Sequence, residues 1–299
     1  MALAIPAYGH GFVGKRFFPA TLVTDDPFIA DELSLPTISY FKTPANGDEP
    51  ATRETDFSLD VSKRITENFG IAFGASYVQL RPDEGERQRG FDNVSLGVKY
   101  KVYQNDPGEA ILSVGIDWDI GGSGSKRVGA DTFSTFTPTL LFGKGFGDLS
   151  DDMKYLRPLA ITGTVGIGIP SRTSTSTVGE DGDVSVQQNP NTLQWGFAIE
   201  YSLPYLNSNV GGTGWSPMFN QLIPVVEFPM TTGLNRGASG TTGTVNPGII
   251  WAGRYFQVAA EAQIPINRAT GSQVGWIMQL HFYLDDLFPS TIGRPVFRN

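Results

Sequence analysis

Large apolar side chains occupy every second position in many segments of this chain, and polar or small side chains stand between them. The stretch VGWIMQLHFYLDDLF at 274–288 is the clearest example. Successive side chains of a strand point to opposite faces, so this pattern predicts a strand with two different faces. Its apolar face runs from Val274 to Leu284, and its polar face carries Gln279 and His281.

The same alternation recurs from about residue 34 to residue 287, whereas helical spacing is nearly absent. One helical turn is expected near Phe28–Leu33. About twelve segments of roughly 9–14 residues are predicted as strands, a length that suits a tilted strand crossing an outer membrane. They lie at 34–43, 55–65, 71–80, 93–103, 110–120, 131–145, 157–169, 192–203, 221–231, 244–254, 255–266 and 274–288.

The predicted connections alternate between short and long, as in outer-membrane barrels. Short connections are expected at Glu67–Gly70, Asn105–Glu109 and Gly253–Tyr255, a medium one at Gly147–Arg157, and long polar ones at Arg81–Gly90, Gly121–Asp131, Ser171–Pro190 and Thr231–Thr244. The connection near Leu206–Phe219 should be short on this scheme and is not, which counts against it. An even strand number leaves both chain ends on the periplasmic side.

The apolar face can pack against a second sheet or against lipid. Two features favour lipid. The opposite face is rich in Gly, Ala, Ser and charge, as in a barrel interior. Aromatic side chains also lie near the ends of the apolar faces, as in membrane-interface belts: Tyr77, Tyr100, Trp118, Trp195, Tyr201 and Trp276. We therefore predict an all-β fold, a closed antiparallel transmembrane β-barrel over residues 34–288, with a soluble β-sandwich as the alternative.

Residues 1–33 do not alternate and are rich in Pro, Phe and Gly. We expect an N-terminal periplasmic segment. It either enters the barrel as a plug or lies outside and binds a periplasmic partner, and a barrel of this size is narrow enough for a short insert to fill. The plug candidates are Phe12, Lys15, Arg16, Phe17, Phe18, Asp25 and Asp26.

Both chain ends extend beyond the predicted barrel. Residues 289–299 follow the aromatic Phe288 and are expected to form a periplasmic tail. The first residues show no basic region followed by an apolar one, so we expect a signal peptide to have been removed, and Ala2–Ala4 resemble the end of a cleavage site.

Composition narrows the chemistry. The absence of cysteine excludes disulfides, thiolate catalysis and cysteine-based metal sites. A net charge of −8 disfavours nucleic-acid binding. With two histidines a multi-histidine metal site is not expected, and we predict neither a metal nor a cofactor.

Charges of both signs fall on the polar strand faces. Unpaired charge in a narrow interior of low dielectric constant is costly, so most of these groups should form salt bridges. A selectivity ring for a permeating solute is the alternative. The lumen-facing candidates are Asp56, Asp60, Arg64, Lys99, Lys101, Asp117, Asp119, Glu200, Glu227, Arg254, Glu261 and His281.

No catalytic residue is predicted. A histidine–serine hydrolase site needs a nucleophile beside the base, and no serine is close to His281 in sequence. His10 has no visible partner. Calcium is conceivable at Glu180, Asp181 and Asp183, but their spacing matches no EF-hand loop, and a solvated loop is expected.

Three segments carry a resemblance to a known family: NQLIPVVEF (Asn220–Phe228), NPGIIWAG (Asn246–Gly253) and AQIPINRATGSQVGWIMQLHFYL (Ala262–Leu284). They resemble the loosely defined outer-membrane transporters that include the phenol meta-pathway proteins. The resemblance covers about the last third of the chain and consists of strand-and-turn pattern.

The resemblance implies a Gram-negative outer-membrane channel for uptake or export of a small hydrophobic or aromatic solute. Membrane lipid and that solute would be its partners. The alternative is a non-conducting scaffold barrel of an envelope complex, and an enzyme comes third.

Overall fold

The computed structural model describes residues 11–45, 47, 50–178 and 183–297. The chain forms a closed antiparallel barrel of twelve strands, as the alternation predicts. The strands of the described residues are, in chain order, β1 Phe12–Val13, β2 Arg16–Phe17, β3 Glu32–Thr43, β4 Thr52–Arg64, β5 Phe69–Pro82, β6 Gln88–Phe91, β7 Ser95–Asn105, β8 Ala110–Asp119, β9 Thr135–Gly145, β10 Leu159–Pro170, β11 Ser174–Val178, β12 Val184–Gln188, β13 Thr192–Tyr201, β14 Leu222–Glu227, β15 Met230–Gly233, β16 Thr241–Ala252, β17 Phe256–Pro265 and β18 Gly275–Tyr283.

Pairing between the first and last barrel strands closes the sheet. β18 runs antiparallel to β3, with Trp276 opposite Tyr40 and Phe282 opposite Leu33. β14 and β15 together fill one position in the wall between β13 and β16. β1–β2 and β11–β12 are separate hairpins, and β6 extends β5 beyond the wall.

Among the described residues, helical structure occurs only in the connections and directly after β18. The described helical pieces are α1 Leu203–Tyr205, α2 Leu284–Leu287, a π turn at Leu206–Val210, and 3-10 turns at Lys126–Val128, Asp151–Leu156 and Phe219–Gln221. Within the described residues, no helix is both long enough and apolar enough to span a membrane.

The two ends of the barrel differ. The end that carries the connections 65–68, 106–109, 146–158, 202–221 and 253–255 is called the turn side, and the opposite end is called the loop side. Residues 11–31 lead into β3, and α2 follows β18, both at the turn side. The connection 202–221 is long, although it lies at the turn side, where the alternation of short and long connections predicts a short one. It is folded into short helical turns.

The alternation assigns the two faces as expected. On β7 the apolar Leu96, Val98 and Tyr100 are exposed on the outer surface, whereas Gly97 and Lys99 line the interior. The same division holds on β18, where Trp276 and Met278 point outward and Ile277, Gln279 and His281 are buried inside. The outer surface is therefore an apolar band, as a lipid-facing barrel requires.

Several predicted boundaries are wrong. The barrel begins at Glu32 rather than 34, and no helical turn forms at Phe28–Leu33, since the carbonyl of Ala30 accepts from Ser62 Oγ (2.9 Å) and leads directly into β3. The last strand ends at Tyr283, because the N–H of Leu284 donates to Asp31 O (2.9 Å) and α2 begins there.

The structure also adds detail to one predicted loop and to the C-terminal tail. The long loop predicted at Thr231–Thr244 shrinks to residues 234–240, because β15 and β16 pair across it. The C-terminal tail returns to the barrel, where Val296 N and Phe297 N donate to the carbonyls of Arg64 and Ile65 at the end of β4.

We expect Ile116→Lys to destabilise the protein by about 2–4 kcal/mol, because the substitution places a charge on the outer face of β8 among lipid tails. Asp119→Lys, on the inner face of the same strand, is the matched control and should change stability little. The measurement is reversible urea unfolding in lipid vesicles. Equal losses for the two variants would contradict a lipid-facing outer surface.

Candidate functional site

Residues 11–31, here called the inner segment, run inside the barrel. The β1–β2 hairpin lies at the turn side, where Gly14 packs against Asp106. The chain then reaches the middle of the lumen, with Thr24 beside Gly196 of β13, and returns to the turn side at Asp31. The inner segment therefore forms a loop that enters and leaves by the same end.

A buried arginine holds the start of this loop. Arg16 is fully buried, and its Nε lies 2.7 Å from Glu109 Oε2. Its other nitrogens donate to the carbonyls of Pro158 and Arg157, and its guanidinium stacks 4.1 Å from the Tyr205 ring centroid. Three connections at the turn side thus converge on one side chain.

A buried glutamate holds the tip of the loop. Glu227 on β14 is fully buried and accepts backbone N–H groups from three successive residues: Leu22 (2.6 Å), Val23 (3.1 Å) and Thr24 (2.5 Å). Gln257 on β17 adds a bond of 2.6 Å from its Nε2 to the carbonyl of Ala20. Four backbone groups at the tip of the loop are thus bonded to two wall side chains.

Asp31 fixes the end of the loop. Its buried carboxylate accepts from Lys63 Nζ (2.5 Å) and from Arg64 Nε (2.7 Å) and N (2.9 Å). Both basic residues end β4, so the loop closes onto the first strands of the barrel at the turn side.

Apolar packing supports one flank of the loop. Leu22 joins a buried cluster formed by inward side chains of β13, β14, β16, β17 and β18: Ala198, Ile223, Val225, Ile250, Ala252, Ala259 and Ile277. Val13 and Phe18 form a second cluster with Ile111 and Ala160, and Phe28 packs against it. Burial of such side chains contributes about 1.5–3 kcal/mol each.

The other flank leaves a cavity of about 370 Å³ between the inner segment and the wall of β3, β4, β5, β7, β8 and β18. Inward positions of this wall carry small residues: Gly70, Ala72, Gly74, Gly97 and Gly115. A Cβ at Gly74 would lie 2.4 Å from Ser95 Oγ and 2.8 Å from Asp60 Oδ1. These glycines make room both for the cavity and for the polar side chains around it.

Charged side chains line the cavity. Asp60 and Asp117 come from the wall, and Lys99 Nζ bonds Asp25 Oδ1 (2.9 Å) and the carbonyl of Asp26 (2.6 Å). Burial raises the pKa of the Asp26 carboxyl to about 7, and Lys99 opposes that rise.

Acidic groups continue toward the loop side. Glu54, Asp56 and Asp119 lie on the inner strand faces, with Asp92 and Asp131 in the adjoining loops. Burial, followed by the nearby Asp92, raises the pKa of Asp131. The cavity and the lumen beyond it are therefore predominantly acidic.

Barrel closure brings together a serine and a histidine. Ser34 Oγ lies 2.8 Å from His281 Nδ1, and His281 Nε2 lies 3.6 Å from Glu32 Oε2. Sequence spacing gave no sign of this pair, which is separated by 247 positions. Ser34 is 7% exposed and His281 3% exposed, so we interpret the bond as a link across the barrel seam.

The structure also locates the other predicted residues. On inner strand faces lie Asp56, Asp60, Arg64, Lys99, Lys101, Asp117, Asp119, Glu200, Glu227, Glu261 and His281. Arg254 does not face the lumen: β16 ends at Ala252, and Arg254 is exposed in the tight turn, 5.0 Å from the Tyr255 ring.

The predicted interface aromatics lie on outer faces: Tyr77, Tyr100, Trp118, Trp195, Tyr201 and Trp276. Several have ring partners on neighbouring strands; Trp118 stacks on Phe136 at 5.7 Å and Trp276 on Tyr40 at 6.2 Å. Such pairs hold the rings against the wall.

The predicted plug residues divide into buried and exposed groups. Arg16 and Phe18 are buried, Phe17 is partly buried and packs 6.1 Å from Tyr283, and Phe12 and Lys15 are exposed. Sequence reasoning missed Glu109 and Asp31, which lie outside the alternating strands, and did not single out Gln257 among the polar positions of its strand.

Some sequence-level candidates fall elsewhere. His10, Ala2–Ala4, Glu180 and Asp181 lie outside the described residues, and Asp183 is exposed in its loop. Across the described ranges, no group of three or more histidines, cysteines or acidic residues is arranged to hold a metal ion.

Comparisons with known proteins place the fold. No protein-family model matches this chain, and none of the curated proteins matches it. An outer membrane channel from Pseudomonas putida F1 is similar in structure, with a TM-score of 0.59, 10% identity, and coverage of 89% of this chain and 99% of that one. The beta domain of the Bordetella autotransporter BrkA has a TM-score of 0.51, 14% identity, and coverage of 85% and 99%. The fold is therefore that of an outer-membrane β-barrel.

We expect Arg16→Met to release the inner segment, because it leaves the buried Glu109 carboxylate without its positively charged partner at a cost of about 3–5 kcal/mol. The chain has no cysteine, so Leu22→Cys introduces a single thiol that is buried in the docked segment. Arg16→Met should speed maleimide labelling of that thiol at least roughly tenfold. Lys15→Met, at the exposed neighbour, is the control, and equal labelling rates in both variants would show that Arg16 does not hold the segment.

Proposed function

We propose that this chain is a channel of a Gram-negative outer membrane through which small solutes pass along the lumen. The apolar outer band and the polar interior support this proposal. Short turns of such barrels face the periplasm, so the turn side is assigned to the periplasm and the inner segment enters from there. The proposal involves no catalytic reaction.

The cavity beside the inner segment is the observation that carries the proposal. It extends from Gly70, near the turn side, to Gly74 and Ser95 farther along the lumen. The inner segment therefore narrows the lumen along one flank and leaves the other flank open. We assign this flank as the solute path and the inner segment as the element that restricts it.

The lining of the cavity favours a small organic cation as solute. Asp60 and Asp117 supply negative charge from the wall, and Asp25 already balances Lys99. Leu22 and Phe28 supply apolar surface from the inner segment. The hydrophobic or aromatic solute implied by the family resemblance fits the apolar side, and the carboxylates add a preference for positive charge.

Planar-bilayer conductance tests the channel. The full chain is expected to conduct weakly, and a chain lacking residues 1–30 should conduct several-fold more, because Asp31 and the barrel remain. In a KCl gradient the reversal potential should favour K⁺, and Asp60→Asn with Asp117→Asn should reduce that preference. Asp183→Asn, in an exposed loop, is the control. Preference for Cl⁻ in the wild type would contradict the assigned path.

Three probes of similar size and different charge test the solute class. In liposome swelling, 2-phenylethylamine should enter faster than 2-phenylethanol, and phenylacetate should be slowest, because the lumen is acidic. The order should flatten in the Asp60→Asn, Asp117→Asn variant. Equal rates for the cation and the neutral alcohol in the wild type would show that charge does not select the solute.

A scaffold role is the second candidate, and the C-terminal tail favours it. Ile292, Val296 and Phe297 are 53%, 55% and 65% exposed, and the tail is attached to β4 at the turn side. Exposed apolar side chains of this kind suit a periplasmic protein partner. Two silent chains, full and shortened, that both insert and resist heat in detergent would favour this role.

A further inference from the structure

Three polar side chains meet on the inner face of the barrel where β14, β16 and β17 lie side by side. Glu227 stands opposite Asn246, and Glu261 stands opposite Gly248. A Cβ at Gly248 would lie 2.4 Å from Glu261 Cγ, so this glycine lets the Glu261 side chain cross β16. Glu261 thereby lies beside Glu227 and Asn246.

This cluster is sealed from solvent and lacks hydrogen-bond partners. Glu227 and Asn246 are 0% exposed, and Glu261 is 4% exposed. Among the described residues, neither carboxylate oxygen of Glu261 and neither polar atom of the Asn246 amide has a hydrogen-bond partner. The hydroxyl of Thr24, whose N–H donates to Glu227, is also without one. Buried polar atoms in proteins are normally satisfied, so the cluster calls for a further partner.

The charge of the cluster identifies the kind of partner. Two carboxylates this close and this deeply buried must either share a proton or bind a compensating positive charge. The basic groups inside the barrel are engaged elsewhere: Arg16 with Glu109, Lys63 and Arg64 with Asp31, Lys99 with Asp25, and Lys101 with Gln104 at the turn side. A positive charge at this site therefore has to come from outside the chain.

We propose that Glu227, Glu261 and Asn246, with the hydroxyl of Thr24, form a binding site for Ca²⁺. All the available donors are carboxylate, amide and hydroxyl oxygens, which are the ligands of hard cations. A charge of two balances the two carboxylates. Ca²⁺ accepts irregular oxygen cages, whereas Mg²⁺ retains several waters that this sealed site does not admit.

An ion bound at this site would also affect how firmly the inner segment is held against the wall. Glu227 also holds the N–H groups of Leu22, Val23 and Thr24, so an ion at this site joins the inner segment to the wall. Binding of Ca²⁺ then stabilises the docked segment by mass action.

Thermal unfolding and calcium binding of the full chain in detergent test the site. After chelation with EDTA, Ca²⁺ at a hundredfold excess over its dissociation constant should raise Tm by about 5–10 °C. Equilibrium dialysis with radioactive calcium should show one ion fewer bound to Glu261→Gln than to the wild type. Thr24→Val, which removes only the hydroxyl, should weaken binding several-fold and provides a second variant if Glu261→Gln does not fold.

The control is Glu54→Gln, which makes the same change in the acidic group at the loop side. It should keep the full response of the wild type. The proposal is overturned if Ca²⁺ leaves wild-type Tm unchanged, or if Glu54→Gln loses the bound ion and Glu261→Gln keeps it. Stabilisation of the wild type by acid alone, without any calcium effect, would mean that Glu227 and Glu261 share a proton instead. None of these readouts uses conductance, so they are independent of the channel proposal.

Discussion

The structure depends on the pairing of every backbone polar group in the wall. Lipid offers no hydrogen bonds, so a sheet in lipid must close on itself, and β18 meets β3 to do so. Once the sheet is closed, alternate side chains of every wall strand point toward lipid and toward the lumen. The acidic interior and the apolar outer band are two results of that one constraint.

The inner segment meets the same requirement inside the lumen. Beyond the β1–β2 hairpin its irregular backbone has no strand partner, so wall side chains must supply the bonds. Glu227 accepts three of its N–H groups, and Gln257 donates to one of its carbonyls. Arg16 in turn satisfies two carbonyls of the wall connections. The buried polar residues of the barrel thus act mainly as partners for backbone.

The sequence carries the faces of the strands well and their ends poorly. The alternation correctly predicts that Trp276 faces outward and His281 inward. A register slip of one residue would turn every side chain of the strand to the opposite face, so the pattern of faces is strongly constrained. It does not mark where a strand stops: Arg254 continues the alternation into a tight turn, and Leu284 continues it into α2. Pairs of residues far apart in the chain could not be predicted from the sequence. Arg16 and Glu109 are 93 positions apart, and only barrel closure joins Ser34 to His281.

The lumen is asymmetric, and this asymmetry limits how the inner segment can move. Against β13–β18 the segment is packed through Leu22 and bonded through Glu227, as in a protein core. Against β3–β8 it faces glycines and a cavity, where Val23 and Asp25 are exposed. Both ends of the segment are anchored at the turn side by buried ion pairs, which cost several kcal/mol to break by removal of one partner. The wider path therefore lies beside the tip of the loop, and opening it requires the tip to leave Glu227 while Arg16 and Asp31 remain in place.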